Sequence, residues 1–332
     1  MFDTVRASVD EVELNLDRLM QKGFKKVVTT AIDQEGVVTE SLRYVLMEKD
    51  QHPHFVMYLP KVGTVKFETS LPKAVPTGSG EPRGENVSLL ASEGVIPCLD
   101  RVSSFLCDRC GDVPAAGDFK VRGRLDAVFS WDARVNGQDL TPYYLHALRN
   151  VVVPRHTTQV VDREATLYWW NGSRRVRMYD KYRESKLDAA KGQLRFEVQL
   201  NHAKGELEKL GYLGDAMLKN VLNWDNASRV LDEYLNQIAG GLVIASGDQV
   251  LLDLLKVYKP SKALRLYGWM NAMQRFARRD IERMGMSRWT ARRVERDVTE
   301  AGLAGFSPDD GPSVLPPLRL PEKYDGLPGR VC

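Results

Sequence analysis

Residues 166–200 read TLYWWNGSRRVRMYDKYRESKLDAAKGQLRFEVQL. The run Thr166–Trp170 is β-branched and aromatic, and Asn171-Gly172 after it is a strong hairpin-turn signal. From Arg175 to Tyr179, cationic and apolar residues alternate. That period of two predicts a strand with Arg175, Arg177 and Tyr179 on one face, and Val176 and Met178 on the other. Leu194–Leu200 alternates again. Leu194, Phe196, Val198 and Leu200 share one face; Arg195, Glu197 and Gln199 share the other. Between the two strands, Asp180–Lys191 reads as a helix ended by Gly192.

Two neighbouring strands of this kind bring a tyrosine, arginines and a carboxylate to a common face, which Lys181 continues. A phenol has an ordinary pKa of about 10, so a phenolate nucleophile needs cations beside it. Glu197 is a natural ligand for a hard divalent cation. Phosphodiester transfer through a phosphotyrosine would need this set. The structural alternative is a half-buried strand tyrosine beside a solvated charged face, and the pattern alone leaves both open.

The segment WNGSRRVRMYDKYRE, followed by LRFEVQLNHAKGELEKLG, resembles the gene II replication proteins of filamentous phages and, more distantly, Rep-type plasmid initiators. Three further stretches match in the same order: Val65–Val75 with Gly84-Glu85-Asn86-Val87, Arg124–Ser130, and Leu207–Leu222. The resemblance spans roughly residues 60 to 225. It implies a central, mainly antiparallel sheet with packed helices, an α+β fold like that of rolling-circle initiator nucleases. It also implies strand nicking by a tyrosine that precedes x-Lys, which selects Tyr179, with Tyr182 structural. Asp126 becomes the acidic residue of the active site.

Bulk properties are permissive. A chain of 332 residues with a net charge of +3 has room for two domains, and any positive patch must be local. No apolar run has transmembrane length, and the first residues are too acidic for a signal peptide, so a cytoplasmic protein without membrane contact is expected. Four cysteines do not suggest a disulfide framework. Cys107 and Cys110 form a C-x-x-C without nearby further ligands and read as reduced, structural residues, with zinc a minor alternative.

Residues 1–60 open the nicking and joining domain, read as 1–240. Phe2–Ala7, Lys25–Ala31, Leu42–Met47 and Phe55–Leu59 read as strands, and Val9–Lys22 as a helix. His52-Pro53-His54 has the spacing of a metal-binding pair, but the central proline favours a turn leading into a strand. A relaxase or transposase-like nickase using His52 and His54 is the rival that follows from the metal reading. Val65–Thr69 reads as a strand with Lys66 and Glu68 on one face, and Pro72–Asn86 as a loop. Lys73 and Asn86 there suit either a DNA phosphate or plain solvation. Val87–Leu106 reads mainly as helix.

In Phe119–Trp131, Asp126 is a carboxylate inside an otherwise apolar strand. It must pair with an arginine or hold a cation; the cation is the preferred reading, with Glu197 and Glu68 as further ligands of Mg²⁺ or Mn²⁺. Leu140–Val151 reads as a helix.

Beyond Leu200 the pattern is helical. Residues 241–302 form a basic region. From Lys262 to Glu300, ten Lys and Arg face five Asp and Glu. Lys262–Met284 reads as one long helix. Gly285-Met286-Ser287 ahead of Ser287–Glu300 suits a helix-turn-helix whose Arg288, Arg292 and Arg293 meet DNA; a helical bundle with a solvated basic face suits the pattern equally. Residues 303–332 read as an extended tail.

Together these readings predict a site-specific tyrosine nickase and ligase acting on origin DNA, duplex and then single-stranded. Tyr179 and Lys181 are its catalytic residues, and Arg174, Arg177, Lys73 and Asn86 its contacts to DNA. A host DNA polymerase would extend the free 3′-OH. A host helicase is implied because no phosphate-binding Gly-x-x-x-x-Gly-Lys-Ser/Thr loop occurs. A homo-oligomer at the origin is compatible with this reading. A non-enzymatic DNA-binding regulator is the second rival.

Overall fold

The computed structural model describes the chain apart from residues 33–37, 49–52, 75–93, 150, 152, 154, 162–164, 213, 240–242, 246, 276–277, 301–302, 307–313, 325–327 and 332. The described residues fall into two compact units. One comprises residues 1–128, 198–230 and 322–327; the other comprises 129–197, 231–321 and 328–332. Both units draw on sequence before and after residue 240.

The first unit is built on six strands: β1 (Phe2–Val9), β2 (Lys25–Ile32), β3 (Val38–Met47), β4 (Phe55–Leu59), β5 (Thr64–Ser70) and the first part of β6 (Lys120–Asp132). Their hydrogen-bonded order is β2-β3-β4-β5-β1-β6, and every pair is antiparallel. Register follows the period of two. Tyr44 lies opposite Tyr58, Leu46 opposite Val56, Val56 opposite Phe67, and Phe67 opposite Ala7. All are buried and form the core face. The helix Val95–Cys110 buries Val95, Cys98, Leu99, Val102 and Leu106, spaced to make one apolar stripe.

Val9–Lys22 is helical only over Leu16–Gln21, because β1 runs on to Val9 and Asn15 caps the helix, accepting from the Arg18 amide at 2.9 Å.

In the second unit the end of β6 is followed by a short hairpin, β7 (Arg134–Val135) and β8 (Gln138–Asp139). Its Asn136-Gly137 turn has positive φ at both residues, the conformation a two-residue hairpin prefers. Then come β9 (Thr157–Val161), β10 (Thr166–Trp170), β11 (Arg174–Asp180) and β12 (Gln193–Leu200), hydrogen-bonded in the order β12-β11-β10-β9. The β10–β11 hairpin turns at Asn171, whose side-chain oxygen accepts from the amides of Ser173 and Arg174 at 2.9 and 3.0 Å.

The expected helix over Asp180–Lys191 is shorter. It covers Lys181–Ser185 and stops at Lys186, which adopts a left-handed φ of 63°. The single long helix expected over Lys262–Met284 is two helices, Pro260–Arg275 and Arg278–Arg283. With Gly247–Val257 and Arg288–Glu300 they enclose a core that includes Val250, Leu254, Leu266, Trp269 and Val294.

The segment read as an extended tail forms short strands in its described parts. β13 (Val243–Ala245), β14 (Leu303–Phe306) and β15 (Val314–Leu315) form a small sheet. β16 (Gly329–Arg330) pairs in parallel with Trp131 and Asp132. The Trp131 indole donates to the Arg319 carbonyl at 2.8 Å. Apolar residues such as Leu315 and Val331, buried here, supply the affinity that the proline and glycine content obscured.

The protein is thus an α+β protein with extensive antiparallel sheet, packed helices and a helical C-terminal region. No described helix is long and apolar enough to cross a membrane.

Candidate functional site

In the second unit, the polar faces of β11 and β12 form one cluster. Arg177 is its hub. Its Nη2 donates to Glu197 Oε2 at 2.6 Å and to the Tyr179 hydroxyl at 3.3 Å. Its guanidinium carbon lies 4.3 Å from the centroid of the Tyr179 ring. Lys181 Nζ lies over the same ring at 6.0 Å and pairs with Glu184 at 2.5 Å. Arg195 Nε donates to Ser130 Oγ at 2.9 Å.

These charges are not a solvated sheet face. Arg195 is 0% exposed, and Glu197 and Lys181 are each 5% exposed. Buried ions are tolerated only when paired, so the cluster is a network in which each charge depends on its neighbours.

Tyr179, at the junction of strand and helix, is 2% exposed. The helix Lys181–Ser185 begins straight after the strand and packs on β11, as does Thr141–Leu148. Burial, then the negative charge of Glu197, push the phenol's pKa well above its ordinary value; Arg195 and Arg177 pull against this without cancelling it. The phenol is therefore neutral and shielded. Tyr182, three residues on, is half-exposed, with Lys191 Nζ 5.4 Å from its ring centroid.

In the first unit, Glu68 and Asp126 form a second cluster. Arg124 Nε donates to both Asp126 oxygens at 2.9 Å, and Arg124 Nη1 lies 3.6 Å from Glu68. Arg6 Nε donates to Glu68 at 2.7 Å. His54 Nε2 stands 3.7 Å from Glu68 Oε1, an ion-pair distance rather than a hydrogen bond. The imidazole first, then Arg6 and Arg124 against the opposing effect of burial, hold the Glu68 carboxyl at about 2. His52 lies outside the described residues, so the His52/His54 pair is seen only through His54.

Glu68 and Asp126 therefore face guanidinium groups, and among the described residues no three His, Cys, Asp or Glu side chains converge on a cation position. In this arrangement Asp126 makes the arginine pairing that its buried position also allowed.

The remaining expected contacts are dispersed. Arg174 stacks on Tyr234 at 5.6 Å. Lys73 lies half-buried in the four-residue helix Leu71–Ala74, and Asn86 lies outside the described residues. Arg288, Arg292 and Arg293 are exposed on the helix Arg288–Glu300, beside a Trp289 that is 84% exposed. Cys107 is exposed and Cys110 buried, both free thiols; burial raises the Cys110 thiol to about 12.

Three polar partners were not singled out in the sequence. Arg195 was legible as the residue alternating with Glu197. Arg124 precedes Asp126 on the same strand face. Arg6 could be placed only through the β1–β5 register, which sets it opposite Glu68.

No family model matches the chain, and no curated protein matches it. Among solved structures it is similar to a rolling circle replication initiator protein from Geobacillus stearothermophilus. The two share 12% identity over 72% of this chain and 84% of that one, with a TM-score of 0.32.

Proposed function

We propose that this protein initiates rolling-circle replication by nicking and rejoining one strand of an origin, with Tyr179 as the nucleophile. One observation carries the reading: Arg177 joins Tyr179 and Glu197 within a buried network on the very strands whose sequence resembles phage and plasmid initiators. A lone structural tyrosine needs neither a guanidinium on its ring nor a buried carboxylate behind it.

In this reading the Tyr179 oxygen attacks the scissile phosphorus. The new O–P bond replaces the P–O3′ bond, leaving a 5′-phosphotyrosine and a free 3′-OH that host polymerase extends. The phenol proton passes to Glu197, and the leaving 3′-oxygen takes a proton from water. Protonated Glu197 no longer neutralises Arg177, whose guanidinium is then free to balance the phosphate. Reversal by a 3′-OH rejoins the strand without a nucleotide, since the ester conserves the bond energy.

The shielding of Tyr179 makes access part of the mechanism. In this reading side chains packed over the Tyr179 ring, Lys181 among them, move aside for the incoming strand.

A second reading is favoured by exposure alone: Tyr182, half-exposed beside Lys191, takes the strand instead.

The test is incubation of the protein with single-stranded origin DNA, with and without Mg²⁺ or Mn²⁺. A covalent adduct on the peptide carrying Tyr179 supports the proposal, an adduct on Tyr182 selects the second reading, and no adduct under any condition rejects both.

A further inference from the structure

The face of the first unit's sheet that turns away from its core carries a groove of about 780 Å³. Cross-strand register builds its floor. Lys25, Val45, Met57 and Lys66 lie opposite one another across β2, β3, β4 and β5. Val27 pairs with Arg43 in one flanking row, and Met47 with Phe55 in the other. Arg6 and Arg122 complete the lining.

The lining is cationic, and the anions beside it, Glu68 and Asp10, are each held by an arginine, Arg6 and Arg122. Lys25, Arg43 and Lys66 have no ion-pair partner among the described residues. Here cations alternate with apolar side chains, and Phe55 and Met57 are half-exposed.

That alternation matches one ligand chemistry. A single-stranded polynucleotide presents phosphates at regular intervals and unpaired bases between them. Cations take the phosphates, and aromatic or apolar side chains take the base faces. A duplex keeps its bases stacked inward and would leave the apolar floor unused.

We propose that this groove holds a single DNA strand, with phosphates on Lys25, Arg43 and Lys66 and a base stacked on Phe55. The choice of DNA rests on the nickase reading above, because a strand-cutting enzyme must hold its strand outside the bond it breaks.

The test uses the full chain and a fluorescent oligo(dT) of about 12 nucleotides, within the span of one such groove. Anisotropy is read across a salt series. Replacing Lys25, Arg43 and Lys66 together by Ala should weaken binding more than tenfold at low salt. It should also make the slope of log affinity against log salt shallower by about 2, since each phosphate left without its cation on a single strand removes about 0.7. Phe55→Leu should weaken binding about tenfold with the slope unchanged, because stacking releases no counterion. Circular dichroism and melting curves verify that the variants fold.

Wild-type affinity and slope in the triple variant overturn the proposal. So does equal competition by a hairpin duplex, or binding to phosphatidylserine vesicles with none to oligo(dT). The nickase reading stands or falls separately. Absence of any adduct, with oligo(dT) binding still weakened in the triple variant, would reject the nickase and keep the groove.

Discussion

Arg177 and Tyr179, two residues apart on β11, touch twice: the guanidinium carbon lies 4.3 Å from the ring centroid and Nη2 donates to the hydroxyl at 3.3 Å. Alternation along a strand places residues i and i+2 on one face, and Glu197 draws the guanidinium into place from β12 at 2.6 Å. Ring and hydroxyl are therefore separable in their contributions. Tyr179→Phe keeps the ring under Arg177 and removes only the oxygen. Stability should fall by about 1 kcal/mol or less, the worth of one such hydrogen bond. Adduct formation with single-stranded origin DNA should disappear, while Tyr182→Phe retains it. Urea melts read the change in stability, and denaturing gels with peptide mapping read the adduct.

The Arg177–Glu197 pair predicts a strongly non-additive response. Arg177→Met leaves Glu197 buried without its counter-ion, at a cost of about 3 kcal/mol, toward the lower end for a broken buried pair because the Arg177 side chain is 25% exposed. Glu197→Gln leaves the guanidinium without its anion. Adding Glu197→Gln to Arg177→Met should recover part of the loss. A double-mutant cycle in urea checks this; simple additivity would mean the two side chains are not coupled.

The Glu68 cluster predicts an acid-sensitive component of stability. The His54 imidazole, then Arg6 and Arg124, hold the Glu68 carboxyl at about 2, below its ordinary 4.5. The folded state therefore binds fewer protons than the unfolded state between those values, and stability falls as the pH falls. The contribution is fully present above about 4.5 and is lost as the pH drops through about 2. Its size is about 2 kcal/mol after solvent screening of the partly exposed arginines. Urea midpoints measured down this range should show a steeper decline for wild type than for Glu68→Gln.

Much of this was legible because strands alternate. The faces of Arg175–Tyr179 and Leu194–Leu200, and the placing of Lys66 and Glu68 on one side of Val65–Thr69, follow from a period of two and survive in the structure. Burial of the polar faces was not legible. Arg195 and Lys181 look like solvent-facing residues in one dimension, and only packing of neighbouring elements removes them from water. The same limit applies to Tyr179, whose position on the strand was readable and whose shielding was not. Asp126 was recognised as needing a partner, but Arg124 two residues away on the same face satisfied it at short range. Helix lengths failed where one residue decides the outcome, as at Lys186 with its left-handed backbone. Where Gly329 and Arg330 dock was not legible either, because proline and glycine content says nothing about which strand edge a short segment will find.

Arg288, Arg292 and Arg293 test whether the C-terminal helices read duplex DNA. They are exposed on Arg288–Glu300, while Ala291 and Val294 on the same helix are buried in the bundle core. The helix is thus anchored by one stripe and presents the arginines on another, so replacing them costs little folding stability. If they touch origin phosphates, the triple alanine variant should bind duplex origin DNA more weakly, with a salt slope shallower by nearly 3, at about 0.9 for each phosphate no longer neutralised. If one of them reads a guanine edge, the loss should be larger on the origin than on scrambled duplex, by about 1–3 kcal/mol for that residue. Filter binding across a salt series on both sequences separates the outcomes. An unchanged slope on both would assign these arginines to the solvated face of a bundle and move duplex recognition elsewhere in the chain.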